Sequence, residues 1–341
     1  MTHTVTVAGQ EQPFPAPADR PILESALREN RWLPHACSQG TCGTCKIRVL
    51  AGEVEHGQPD EAVLSADERA AGLALACQAA PRTDVTVAPV ADVGPEGPRH
   101  PLRDHSGTVV ELADIARHTR RLVVELDEPM EFSAGQYAEL IVPGAGIGRQ
   151  YSMANPPSEA RTLEFHVKWV EGGLATDGWI FAGLRPGDRI ELRGPLGQFA
   201  MLRAQEEPAI LIGGGTGLAP LKAIVRHALA NDLVPSLDLY HGGRTRADLY
   251  DVEFFRALAA ADPRLRYHPV LSEETWDGPT GLVTDVVLAD FASCKGRSAY
   301  LCGPPAMVTA AVKALKRRRM APRLIFKEEF TVAAPPAMTP V

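Results

Sequence analysis

Long apolar runs are missing from this 341-residue sequence. Nowhere do the roughly 18 consecutive apolar residues needed to span a bilayer occur, and Met1-Thr2-His3-Thr4-Val5-Thr6-Val7 lacks the basic-then-apolar pattern of an export signal. Neither a secreted nor a membrane-spanning protein is expected. A basic excess is missing too: 35 Lys plus Arg stand against 42 Asp plus Glu, a formal net charge of −7, which argues against a general affinity for nucleic acid. The one basic run, Lys316-Arg317-Arg318-Arg319, reads as the end of a helix, where cations suit the macrodipole. Aromatics are scarce at 6%, but 45% apolar and 23% charged residues are ordinary for a folded globular chain and exclude disorder. Cysteine is also scarce. Six in 341 residues are too few for a disulfide scaffold, so the thiols are expected to stay reduced in a cytoplasmic setting.

Four of those cysteines nevertheless crowd into the first 77 residues, and such crowding reads as ligand chemistry. Cys37, Cys42 and Cys45 follow a C-x4-C-x2-C spacing, with Cys77 standing alone further on. This is the plant-type spacing for a two-iron two-sulfur cluster. Gly40 and Gly43 lie inside the loop, where the backbone must wrap closely around an inorganic core and point amides at sulfur. A structural zinc site is the competing reading, but its ligands usually come in two closely spaced pairs.

At this length two or three domains are expected. Residues 88–101 hold four prolines and two glycines with no apolar period, and read as a linker. Before it, Thr4 to Val7, Lys46 to Val49 and Asp84 to Val87 read as strands, and Pro21 to Asn30 as a helix with Pro in its first turn. After it, short strand-like segments (Gly107 to Leu112, Arg121 to Leu126, Tyr137 to Val142, Thr162 to Val167, Asp188 to Leu192) predict an all-β barrel. From Pro208 the rhythm changes to alternating strand and helix, which predicts a parallel sheet covered by helices. The expected organisation is a small α+β domain at 1–92, a linker at 93–101, an antiparallel β-barrel at 102–203, a doubly wound α/β domain at 204–333 and a loose tail at 334–341.

Three motifs follow the linker. Arg149-Gln150-Tyr151-Ser152 offers a guanidinium suited to phosphate and an aromatic face suited to a ring system. Gly172-Gly173-Leu174-Ala175-Thr176 reads as a glycine turn opening a helix, with Thr176 able to cap it. Gly213-Gly214-Gly215-Thr216-Gly217 lies between a buried strand and a helix, the setting in which a dinucleotide pyrophosphate approaches backbone amides.

With these residues in view, residues 1 to about 90 resemble chloroplast-type ferredoxins with a β-grasp fold. The remainder resembles the ferredoxin-NADP reductase superfamily. The resemblance implies that Arg149 holds a flavin phosphate, that Tyr151 packs on the isoalloxazine and that Ser152 bonds near flavin N5. It places Gln150, His166, Val167 and Lys168 along the rest of FAD, and gives the amides of the 172–176 turn to its pyrophosphate. With Cys302-Gly303-Pro304, the 213–217 loop marks the pyridine nucleotide site, Cys302 lying near the nicotinamide, and Phe330 would cover the flavin after a closing strand. Cys302 and Phe330 also read as core residues, and Lys168 as an exposed strand residue.

The domain order matches the reductase components of bacterial multicomponent oxygenases. This implies transfer of a hydride from NADH to FAD and of single electrons through the 2Fe-2S cluster to a hydroxylase. A diiron hydroxylase for alkenes, alkanes or phenols is the expected partner, with a small coupling protein beside it. An aromatic-ring dioxygenase is the alternative, and a monomer is expected. A cluster-bearing redox sensor would not need the flavin and glycine motifs; a stand-alone flavin reductase would not need the four cysteines. NADH is favoured over NADPH because Tyr240-His241-Gly242-Gly243-Arg244, followed by Asp248-Leu249-Tyr250, resembles NADH users. Charge alone points the other way, since Arg244 and Arg246 would accommodate a 2′-phosphate and no acidic residue stands at the end of that strand.

Overall fold

The computed structural model describes residues 1–91, 98–201 and 203–331. Its described residues divide into two compact units, one of residues 1–91 and 98–104 with 193–198, the other of 105–192 with 199–201 and 203–331. Part of the expected linker and the whole tail 334–341 lie outside the described residues.

In the first unit the strands are β1 (Thr2–Val7), β2 (Phe14–Pro17), β3 (Lys46–Ala51), β4 (Val54–Glu55), β5 (Leu73–Leu75), β6 (Ala80–Pro81) and β7 (Val85–Pro89), with helices α1 (Ile22–Arg28) and α2 (Ala66–Ala70). Five strands form one mixed sheet in the order β2-β1-β7-β3-β5, in which β1 and β7 run parallel. The Thr-Val alternation of β1 turns Val5 and Val7 inward. The helix α1 buries Ile22, Leu23, Ala26 and Leu27 as one stripe, each large side chain contributing roughly 1.5–3 kcal/mol. Pro21 precedes its first turn as the N-cap residue. This is the β-grasp arrangement expected from the sequence.

A barrel follows, most of it in the second unit, built from β8 (Arg103–Ala116), β9 (Thr119–Leu126), β10 (Tyr137–Val142), β11 (Ile147–Ser152), β12 (Thr162–Lys168) and β13 (Arg189–Leu196). Its six strands run in the order β11-β10-β13-β8-β9-β12, and an antiparallel bridge between Met153 and Phe165 joins the two ends. Leu122, Val124, Leu140, Leu163, Phe165, Ile190 and Leu192 fill the interior. β8 runs longer than its apolar core suggests, because bulges at Val109/Glu111 and Asp114/Ala116 bend it around the barrel. β11 was not legible as a strand: it is half-buried along most of its length and shows no alternation.

The α/β part comprises β14 (Ala209–Gly214), α3 (Leu218–Ala230), β15 (Leu237–Gly243), α4 (Val252–Ala261), β16 (Leu265–Leu271), α5 (Val283–Asp290), β17 (Ser298–Gly303), α6 (Pro305–Arg317) and β18 (Ile325–Glu329). All five strands are parallel, in the order β16-β15-β14-β17-β18. The direction of winding reverses between β14 and β17, so a crevice opens at their C-terminal ends. Lys316 and Arg317 occupy the last turn of α6, as the sequence indicated.

Gly135, before β10, shows how closely this unit packs. Its φ is +106°, and a Cβ there would lie 2.3 Å from the Phe199 carbonyl oxygen. Gly135→Ala is expected to cost about 1–3 kcal/mol from backbone strain alone, read as a lowered midpoint of urea unfolding; an unchanged midpoint would refute the close approach.

Candidate redox sites

The cysteine loop needs both of its glycines. Gly40 has φ +81° and Gly43 +76°, and a Cβ on Gly40 would meet the Gln78 side chain at 3.0 Å. The turn gathers the four thiols: Cys45 Sγ and Cys77 Sγ stand 3.1 Å apart, Cys45 and Cys77 are buried, Cys37 is half-buried and Cys42 is exposed. The Gln39 amide donates to Cys37 Sγ at 3.4 Å, and the Gln78 side-chain amide lies 3.9 Å from Cys77 Sγ. The hydrogen bond with Cys42 is the largest influence drawing the Cys37 thiol down to about 5, and the same bond pushes Cys42 up. Four thiols this close cannot all ionise without a compensating positive charge. A soft, thiolate-bound metal centre supplies that charge, so the donor set fits an iron-sulfur cluster, with Cys42 on the solvent side.

The residues expected to contact a flavin lie along two strands. On β11, Arg149 donates through Nη1 to the Gly148 carbonyl at 2.9 Å, Gln150 reaches Glu139 at 3.4 Å, Tyr151 is half-buried against the barrel core, and Ser152 is buried. Burial pushes the Tyr151 phenol up, so it stays neutral. On β12, Val167 points into the barrel core and Lys168 reaches the Arg117 carbonyl at 3.1 Å from an exposed position. His166 is fully buried, with Nδ1 3.1 Å from the Tyr250 hydroxyl and Nε2 2.8 Å from Glu164 Oε1. Both ring nitrogens are thus engaged within the protein.

The next turn is shaped by Gly172, at φ +65°, and Gly173, where a Cβ would lie 2.4 Å from Thr176 Oγ1. Thr176 folds back to the Val170 carbonyl and amide at 3.1 and 3.2 Å, and Leu174 and Ala175 lead into a π-helical turn over Thr176–Ile180. A helix start leaves its first amides without intrahelical partners, which suits a phosphate.

At the crevice between β14 and β17 two loops meet backbone to backbone. A Cβ on Gly217 would lie 2.2 Å from the Cys302 carbonyl oxygen, one on Gly303 2.8 Å from the Gly214 carbonyl, and one on Gly214 2.7 Å from Met307 Sδ. Gly215, at φ +57°, faces open space. Gly213 pairs in register with Cys302, and Thr216 lies in the short turn leading to α3, whose first turn begins at Leu218. Pro304 caps α6. At Gly215 a pyrophosphate can therefore come up to backbone without meeting a side chain. Cys302 itself is buried in the core, where desolvation holds its thiol neutral. Phe330 packs partly against the same core, its amide donating to the Gly303 carbonyl at 2.9 Å.

One constellation was not singled out from the sequence. Lys222 on α3 is buried, with Nζ 2.9 Å from Glu164 and 2.7 Å from Asp251; Arg121 on β9 adds a 2.8 Å bond to Asp251. The Tyr250 hydroxyl donates to the Gly215 carbonyl at 3.1 Å, so this charged cluster is tied to the glycine loop. Glu164, His166 and Asp251 could as a set ligate a metal, but the Lys222 ammonium already fills the cation's place. A lone lysine inside the apolar run Leu218 to Val225 was the available signal, since a buried amine requires carboxylate partners.

Three family models match this chain: a 2Fe-2S iron-sulfur cluster binding domain over residues 5–82, an oxidoreductase FAD-binding domain over 106–201 and an oxidoreductase NAD-binding domain over 211–313. An aromatic O-demethylase reductase subunit from Amycolatopsis is 52% identical over 98% of this chain and 100% of its own length. The reductase component of a phenol 2-monooxygenase from Pseudomonas is 40% identical over 98% and 96%. Among solved structures, an Amycolatopsis cytochrome P-450 reductase superposes with a TM-score of 0.92 at 52% identity, covering 98% of this chain and 100% of that one. A ferredoxin reductase of carbazole 1,9a-dioxygenase gives 0.81 at 28%, covering 97% and 99%. No helix among the described residues is long and apolar enough to cross a membrane.

Burial alone would raise the Glu164 carboxyl, but the hydrogen bond from His166 and the charge of Lys222 overcome it and hold it at about 2, against 4.5 for an ordinary glutamate. A depressed carboxylate stabilises the fold fully above the unfolded value, and that stability is lost as pH falls from about 4.5 toward about 2. Urea unfolding at stepped pH is expected to show a loss on the order of 3 kcal/mol across that window, and Glu164→Gln to flatten it. Parallel curves for the two proteins would contradict the charge cluster.

Proposed function

The chain belongs to the ferredoxin-reductase-type reductase components of multicomponent oxygenases, which carry electrons from NADH to an oxygenase, and on that premise we propose that its oxygenase is a cytochrome P-450 that demethylates an aromatic ether. The observation carrying this reading is the 52% identity over full length to an aromatic O-demethylase reductase subunit, together with the superposition on a cytochrome P-450 reductase at a TM-score of 0.92. A phenol monooxygenase, the diiron hydroxylase type with its small coupling protein, is the second reading, favoured by the 40% identity to such a reductase component. The 38% identity to a naphthalene dioxygenase reductase component keeps the ring dioxygenase in the same family. We place the protein in the cytoplasm as a monomer, a reading supported by six free cysteines and by one chain carrying candidate residues for every cofactor.

When bound, FAD accepts two electrons from NADH and releases them singly, and the 2Fe-2S cluster carries them one at a time. The chain's own residues do the positioning. The glycine cradle at Gly213–Gly217 and Gly303–Pro304 receives the nucleotide pyrophosphate and sets its depth in the crevice. Arg149 and the amides of residues 174–176 hold the flavin phosphates, Tyr151 faces the ring system, and Ser152 is placed to hydrogen-bond it. Val167 and Lys168, with the backbone at His166, line the strand beside them, and Phe330 lies where the chain leaves β18. Cys37, Cys42, Cys45 and Cys77 would ligate the iron. No side chain is required as a general acid or base, which agrees with the neutral, desolvated Tyr151 and Cys302.

With NADH as reductant, Cys42→Ser is expected to keep ferricyanide reduction, which can draw directly on the flavin, and to lose reduction of a partner P-450, followed by the carbon-monoxide difference band. Equal loss of both activities would contradict the relay. A wild-type protein that supports phenol hydroxylation but leaves the P-450 oxidised would establish the second reading instead.

A further inference from the structure

The buried network that ties β12 to the glycine loop is one hydrogen short of its own contacts while His166 is neutral. Three links run in a line: the Gly215 carbonyl to the Tyr250 hydroxyl at 3.1 Å, that hydroxyl to His166 Nδ1 at 3.1 Å, and His166 Nε2 to Glu164 Oε1 at 2.8 Å. Each link needs a hydrogen. Tyr250 brings one, a neutral imidazole brings one, and a carboxylate brings none. Burial keeps the Tyr250 phenol protonated, and Glu164 is held ionised. All three links close together only when His166 carries a second proton, so that both ring nitrogens donate and the tyrosine hydrogen is left for Gly215. With a neutral ring, Nε2 donates to Glu164, bare Nδ1 takes the tyrosine hydrogen, and the Gly215 carbonyl is released. The other tautomer would set a bare Nε2 against the carboxylate.

The charges around the ring favour that second proton. Glu164 comes from β12, Asp251, 4.0 Å from Nε2, from the start of α4, Lys222 from α3, and Arg121 from β9, where it also reaches Glu111 of β8 at 3.5 Å. These three carboxylates and two cations leave one negative charge, which an imidazolium cancels. The titratable groups facing Tyr250 from the parallel sheet are neutral. His241 on β15 is one, its imidazolium pushed down to about 3 by burial and its Nδ1 lying 2.9 Å from the Tyr267 hydroxyl of β16; the Cys302 thiol of β17 is another. Burial also lowers the His166 imidazolium below its ordinary value, and the hydrogen bond with Glu164 opposes this. A proton reaches the ring by way of Glu164 and Arg121, whose side chains are 14% and 28% exposed.

The tyrosine hydrogen acts on the loop through the planarity of the peptide. In a trans peptide the N–H points opposite the C=O. A Gly215 carbonyl held inward by Tyr250 therefore turns the Thr216 amide away from the cluster, in a loop where Gly215 faces open space. Such an amide at a helix start is a donor for a pyrophosphate. We infer that Tyr250 is a positioning residue for the dinucleotide, holding the Gly215–Thr216 peptide in its receiving orientation, and that a proton on His166 commits it to that task. By linkage, nucleotide and proton favour one another by the same factor. This inference rests on the nucleotide site of the proposed function and names how that site is set.

The test is NAD+ binding to the FAD- and cluster-loaded protein, titrated by calorimetry between about pH 5 and 8, the range in which a histidine changes charge. Two buffers of unlike ionisation enthalpy report the protons exchanged. Wild-type protein is expected to bind NAD+ more weakly as pH rises, by no more than about tenfold per pH unit, the limit for one proton, and to take up protons on binding. Tyr250→Phe keeps the ring and loses the hydroxyl. Its affinity is expected to drop at the acid end to the wild-type value at the alkaline end, and to vary less than about twofold across the range. A flat wild-type profile without proton uptake, or a Tyr250→Phe variant with the wild-type slope, overturns the inference while leaving the nucleotide site intact. Wild-type protein that binds NAD+ at no pH overturns the nucleotide reading, and this inference with it.

Discussion

At each candidate cofactor site the chain makes a close approach or a left-handed turn that a Cβ would obstruct, and glycine is how it gets there. Around the cysteines, Gly40 and Gly43 adopt left-handed backbone, so that the loop can turn its amides and thiols to one centre. Before the π-helical turn, Gly173 leaves room for Thr176 Oγ1 to fold back. At the crevice, Gly217 and Gly303 let two loops touch backbone to backbone, Gly214 leaves room for the Met307 side chain, and Gly215 faces outward. Each site is therefore shaped mainly by main chain. That suits a protein whose redox chemistry belongs to its cofactors and whose own task is to hold them.

The charged cluster of Glu164, His166, Lys222, Asp251 and Arg121 is the counterpart in side chains. A buried lysine is costly alone; here two carboxylates receive it, and removing any member would strand a charge in the interior. Through Tyr250 the cluster also fixes the Gly215 carbonyl, so the strand that carries His166 and the glycine loop after β14 are held by one network. In the first unit a smaller network does similar work: Arg193 meets Glu24 at 2.9 Å and Asp104 at 3.2 Å, and the Gly197 amide donates to buried His35, two residues before Cys37.

Much of this was legible in the sequence, for reasons that differ by element. β14, buried along its whole length, reads as an unbroken apolar run, and the glycines after it announce a turn toward a ligand. The cysteine spacing is covalent arithmetic and needs no tertiary information. β11 was not legible because a strand that is half-buried along most of its length has no apolar rhythm. The roles of His166, Lys222 and Asp251 were hidden because they depend on which strands and helices meet. Asp251 adopts left-handed backbone before α4, a local strain that composition does not reveal. An ion pair between Arg246 and Glu274 was hidden for the same reason: β15 and β16 are separated by a helix in sequence but adjacent in the sheet.

The relay from nicotinamide to iron is the center on which the functional reading turns, and an anaerobic titration of the purified, cofactor-loaded protein with NADH tests it directly. Visible absorption follows the flavin and electron spin resonance follows the cluster. Bleaching of the flavin band together with a rhombic reduced-cluster signal is the predicted result. Bleaching without that signal, in protein that chemical analysis shows to hold iron and sulfide, would contradict it.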